Sequence, residues 1–286
     1  MGLGLAAAIV AALAYGLASV LQARAAGDEG PADGKPTLRS TIATMLALPF
    51  LLGIALDVLG FAGNLIADRK LPLFLAQPIV AASLIVTAVA AGVFLRVVLS
   101  RRDELAIVTV VVALVVLSFV AGQEGDLGSG WAGAHHAVMH GGVLVAAGVL
   151  IVGGLVLLKA STGPMVAAAA GLTAGALFGV MATSVRIVDG VDPFELRQLL
   201  TDPAASAVVV AGVGGFYLFT VALQAGSVNA AAAALVVGET VIPGAVGLTL
   251  LGDQIRAGWA PVAVLAFILA VAGAATIAMG QVGELG

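Results

Sequence analysis

The sequence predicts an all-α, polytopic membrane helix bundle of about nine transmembrane helices in two inverted repeats. Three observations predict it. The chain of 286 residues is 61% hydrophobic and only 10% charged, against about 45–50% and about 25% for a soluble domain. Its mean hydropathy is +1.17. Charge-free runs cover 1–23, 40–56, 71–95, 105–123, 127–158, 160–185, 203–238 and 257–283, and about 20 apolar residues suffice to cross a hydrocarbon core. These runs do not alternate as the strands of a transmembrane barrel do, and the 38 glycines suit close helix packing in lipid.

In chain order, spans are expected near 2–23, 40–66, 71–98, 105–121, 136–158, 164–185, 204–223, 227–250 and 258–280. Residues 2–23 lack a basic leading flank and are followed by Arg24, so they read as a first span rather than a signal peptide. The run 203–238 is too long for one crossing and is divided at the polar cluster Gln224-Ala225-Gly226-Ser227. Trp131 and Trp259 fall near span ends, where indole favours the interface. Between Pro193 and Pro203, the segment Phe194–Leu200 reads as a short amphipathic element on the membrane surface.

The repeat lays 60–102 on 215–257 without a gap. Gly60-Phe61 meets Gly215-Phe216, Ala67 meets Ala222, Gly92 meets Gly247, Leu95 meets Leu250 and Arg101 meets Arg256. Tyr15-Gly16 of the first span falls near Ala174-Gly175 of the sixth. The organisation expected is a first repeat over 1–121, a linking span within 122–163 and a second repeat over 164–286. The odd linking span inverts the second repeat, which places a site between the halves near the midplane. Lys and Arg fall seven on the side after span 1 (Arg24, Lys35, Arg39, Arg96, Arg101, Arg102, Lys159) and five on the other (Arg69, Lys70, Arg186, Arg197, Arg256). That bias favours an external N-terminus and a cytoplasmic C-terminus in the inner (cytoplasmic) membrane.

Few ionisable groups lie inside spans. Asp57 and Glu239 are the two acids well within helices, where an ionised group costs about 2.5–3.5 kcal/mol on insertion scales. Each reads either as a cation or proton site or as a packing hydrogen bond. Pro243 removes the amide that would bond the Glu239 carbonyl, and Gln77-Pro78 makes a comparable break in the first half. Kinked helices in both halves point to a substrate region. Asn64, Gln77, Gln224, Tyr15 and Tyr217 are further candidates to line it. His136 and His140 share a helix face at i, i+4, a spacing that suits a transition metal, with Glu124 and Asp126 nearby. There is no Cys, and no hydrolase, zincin or phosphate-loop motif, so no enzyme activity, resident cofactor or nucleic-acid partner is expected.

The residues Ala222-Leu223-Gln224-Ala225-Gly226, the central Pro243, Gly252-Asp253-Gln254-Ile255 and Gly273 resemble the drug/metabolite transporter (EamA-like) superfamily, with Asp253 where Glu is usual. The first half offers Leu71-Pro72-Leu73-Phe74-Leu75-Ala76-Gln77-Pro78 and Arg101-Arg102 at its turn. Within that superfamily, the stretch from Gly53 to Asn64 is similar to NIPA-type magnesium transporters. Gly60 and Asn64 match, and Phe61 stands where their Glu would be. The resemblance implies a secondary transporter of a small solute, with a coupling proton or cation. A magnesium pathway and a non-transporting membrane scaffold stay open as alternatives. The partners implied are the lipid bilayer and a small-molecule or cation substrate, with a homodimer as a further arrangement.

Overall fold

A computed structural model describes residues 1–28, 46–94, 100–127, 133–160, 164–191, 193–225 and 228–283. The described chain is almost entirely helical. Its helices are α1 (Gly2–Asp28), α2 (Leu48–Lys70), α3 (Leu73–Ala81), α4 (Ser83–Phe94), α5 (Arg101–Val120), α6 (His136–Ala160), α7 (Pro164–Ile187), α8 (Leu196–Thr201), α9 (Pro203–Ala225), α10 (Val228–Thr249) and α11 (Ala260–Gly283). Seven segments are long and apolar enough to cross a membrane, counting Leu73–Val93 across α3 and α4 as one, and two shorter apolar helices run over Glu104–Val120 and Ala233–Thr249.

Of the second span expected at 40–66, residues 40–45 lie outside the described residues, and the described helix runs past 66. The helix starts at Leu48, with Pro49 in its first turn, where the missing amide would be unsatisfied anyway. It ends at Lys70, so Asp57 sits near mid-helix. The third span is broken, as Gln77-Pro78 suggests: the Ala82 N–H bonds the carbonyls of Pro78 and Ile79, and the chain restarts at Ser83. At Pro243 the helix is not interrupted; α10 runs through it, and the residue that supplies no amide leaves the Glu239 carbonyl without its usual helical donor. The amphipathic element appears as α8, which buries none of its residues and exposes Leu196 and Leu200. Trp259 is half exposed at the start of α11. Trp131 lies outside the described residues.

Helix α7 is the hub of the second half, packed on α10, α9 and α6. Helix α1 plays that part in the first half, against α2 and the broken pair α3–α4. The halves interlock where α3 meets α10 and where α11 lies on α5. The α7–α10 contact is backbone on backbone. Gly171, Gly175 and Gly179 form a ridge at i, i+4, i+8, and a methyl on any of them would strike α10: the Ala231 backbone, the Leu235 carbonyl and Pro243 respectively. Bilayers provide no hydrophobic drive between helices, so such small-residue contacts gain their stability from close van der Waals approach. The other extreme is α6, where Val145, Val149, Val152 and Val156 form an exposed apolar stripe and Gly153 faces open space.

The ridge gives a contrast in sign. Gly→Ala inside a helix gains roughly 0.5–1 kcal/mol from backbone entropy, whereas overpacking costs about 1–3 kcal/mol. Thermal unfolding in detergent should therefore show Gly175→Ala destabilised and Gly153→Ala unchanged or stabilised.

Candidate functional site

Where α1, α2, α3, α4, α7 and α10 converge, they border a partly open cavity of about 220 Å³ lined by Tyr15, Asn64, Gln77, Val80, Ala81, Ser83, Phe178, Met181, Ala182 and Glu239. Four sequence candidates meet in it: Tyr15, Asn64 and Gln77 from the first half and Glu239 from the second. Pro78 sits on the α3 turn that opens into the break, and the Pro243 ring fills the space beside Gly179. The Tyr15 ring lies on Gly60, in space a side chain there would fill, and the Phe178 ring lies likewise on Gly215. An aromatic of α1 thus rests on a glycine of α2 and an aromatic of α7 on a glycine of α9, and Gly60 and Gly215 are the glycines paired when 60–102 is laid on 215–257.

The lining is amphipathic. Asn64 Oδ1 is buried and accepts no hydrogen bond. Gln77 Nε2 donates to Asp68 Oδ1 at 2.6 Å, behind the cavity wall. The Glu239 backbone amide faces Gly175 across the α7–α10 contact, so the ridge sets where its carboxylate projects. One carboxylate, two amides, a phenol and the Phe178 ring can hold a small polar or cationic solute.

Other candidates fall elsewhere. Asp57 Oδ2 accepts from Gln22 Nε2 at 2.6 Å, tying α2 to α1, and is not among the lining residues. The two mid-span acids therefore do not converge in the cavity. Tyr217 is 55% exposed on α9, also outside the lining. The Gln224 side chain lies outside the described residues.

One end of the bundle is closed by a buried knot that sequence reasoning did not single out. Arg186, 2% exposed at the end of α7, donates through Nη1 to the carbonyls of Asp68 (3.0 Å) and Leu71 (2.7 Å). Its Nη2 reaches Asp253 Oδ1 at 3.2 Å. Asp253 in turn accepts the amides of Leu73 (2.7 Å) and Gly125 (2.9 Å). Gly252, with φ of 76°, turns the chain so that this carboxylate points inward. Beside it, residues 120–123 and 254–256 pair as a short antiparallel ribbon. The segments after α2, α5, α7 and α10 thus share one end of the molecule.

At the same end, a second cavity of about 240 Å³ is lined in part by Arg69, Leu127, His136, His140 and Asp189. His140 Nδ1 meets Asp202 Oδ1 at 2.7 Å, and His136 Nε2 meets Asp189 Oδ2 at 2.9 Å. Asp202 caps α9 by accepting the Ala204 amide at 2.7 Å, and also accepts the Asp189 amide at 2.7 Å. Burial pushes the Asp202 carboxyl up, but the bonds from the Asp189 amide, His140 and the Ala204 amide outweigh it and hold it below the usual carboxylate range. The acid that groups with His136 and His140 within metal-ligand range is Asp189, while Asp202 backs His140.

The knot could have been suspected from Arg186 and Asp253, each an isolated charge at the edge of a long apolar run. No family model, curated protein or solved structure matches this chain.

Removing one partner of a buried, hydrogen-bonded pair costs about 3–5 kcal/mol because the other charge is stranded. Arg186→Met should therefore lower stability by that order in denaturant or thermal titration. Stability equal to the parent would show that the knot does not hold this end of the bundle.

Proposed function

We propose that this chain is a multi-pass secondary transporter of the drug/metabolite transporter type, moving a small solute by alternating access between two inverted halves. The observation that carries the reading is the cavity in which Glu239 of one half faces Tyr15, Asn64 and Gln77 of the other. A scaffold protein has no need of a polar chamber at mid-bundle. A lone acid at that depth is costly to keep ionised, so it exchanges between a protonated form and one balanced by a bound cation. That exchange is what couples solute movement to a proton.

Nine crossings suit the shared end of the bundle. The segments near 71, 125, 186 and 253 are joined by hydrogen bonds, so an even number of crossings separates each from the next. The described helices between them supply that number if the two shorter apolar helices also cross. Helix α6 then stands between two four-span halves, and Gly60 and Gly215, each lying under an aromatic ring from the first helix of its half, become equivalent positions of an inverted repeat.

The charge bias gains weight from the same contacts. Arg186 is tied to Asp68 and Leu71, and Arg69 donates to the carbonyls of Val185 and Val188. Neither is free to meet lipid headgroups, so the excess of basic residues on the face after α1 grows, which favours that face as cytoplasmic. The divalent-cation reading loses a ligand, because Mg²⁺ seeks several oxygen donors and Asp57 brings none to the cavity.

In proteoliposomes offered amines, other metabolites and divalent cations side by side, Glu239→Gln should abolish proton-coupled uptake while inserting normally. Full activity in that variant removes Glu239 from the mechanism. Orientation is testable because the chain has no Cys: an impermeant thiol reagent should label Glu195→Cys in intact cells and Glu104→Cys only after lysis.

A further inference from the structure

The histidine pair on α6 takes no part in the transport reading. We propose that His136, His140 and Asp189 bind a divalent transition ion of the zinc class at the end of the bundle closed by the Arg186 knot. One ring nitrogen from each histidine and one Asp189 oxygen lie within 4.8 Å of one another. Tetrahedral zinc with ligands at about 2.0–2.2 Å places them roughly 3.4 Å apart, so the three need draw in by little more than an ångström.

The site has its outer support in place. Asp202 already accepts two backbone amides, so it meets His140 Nδ1 as an acceptor and that nitrogen carries the proton. His140 Nε2 is then the lone-pair nitrogen, held by a carboxylate behind the ring as in many metal-ligating histidines. His140 is fixed by burial; His136 is not. Their rings stack with centroids 3.9 Å apart and planes 23° apart, and near-parallel rings do not aim two in-plane lone pairs at one point. Ion entry therefore requires the His136 ring to turn, which its 55% side-chain exposure permits.

Two imidazoles and one carboxylate favour zinc, cobalt, nickel or copper over magnesium or calcium, which prefer all-oxygen shells. Asp189 and Asp202 bring two negative charges near the site against one from Arg69, which lines the same cavity. The cavity volume of about 240 Å³ leaves room for water in a fourth position. A bound ion would cross-link the start of α6 to the segment between α7 and α9, joining the linking helix to the second half.

The test uses the full chain, purified in detergent with any affinity tag removed, and Co²⁺ as probe. One equivalent should give visible ligand-field bands that Zn²⁺ abolishes. His136→Gln at an exposed position and Asp189→Asn at a partly exposed one should each weaken binding by at least about 10-fold, and Asp202→Asn by about 10–100-fold. Glu239→Gln should leave binding unchanged. The proposal is overturned if the parent takes up no more Co²⁺ than the His136→Gln/Asp189→Asn double variant, or if only Glu239→Gln removes the ion.

Discussion

A single buried guanidinium organises one end of this bundle. Isolated, Arg186 would be prohibitively costly there; the transfer of a charge from water to protein interior is repaid only by close partners. It finds them in the carbonyls of Asp68, Leu71 and Gly125 and the carboxylate of Asp253. Asp253 fills its remaining capacity with two backbone amides. The donors and acceptors come from four separate segments, none of which satisfies itself. The knot therefore fixes how the helices between those segments are returned to the same end.

The cavity depends on that arrangement from above and on the glycine ridge from the side. Gln77 spans the two: it lines the cavity and donates to Asp68, whose carbonyl is held by Arg186. A change in what Gln77 binds is thus one residue removed from the latch across the end. The ridge of Gly171, Gly175 and Gly179 brings α10 against α7, and Glu239 is carried on the helix that this contact positions. Close backbone packing thus borders one side of the cavity, and the one-residue discontinuity between α3 and α4 at Ala82 borders the other.

The apolar runs made the helices legible, because lipid admits few alternatives to a continuous helix. The same penalty made the cavity legible in part: Tyr15, Asn64, Gln77 and Glu239 are polar groups that hydrocarbon rejects, and all four turn inward. The rule is blind to which interior feature each serves. Asp57 obeys it by pairing with Gln22 on the next helix, and Tyr217 escapes it because a phenol tolerates the outer surface. The knot and the acids that pair with His136 and His140 were hidden for another reason. Their members sit at span ends, where charge is ordinary, and their partners lie 67 and 53 residues away in sequence. Only the folded chain brings them together.

If the mid-bundle cavity is a water-reachable chamber shut on one side by the knot, its wall is open to reagents from the other side. Ser83→Cys, a near-isosteric change in that wall of a chain without Cys, reads this out. Impermeant thiol reagent would be applied to right-side-out and inside-out vesicles. Modification is expected from the face opposite the knot, and from the knot face only when Arg186→Met is added. A thiol that reacts from neither face, yet reacts fully on unfolding, would contradict it.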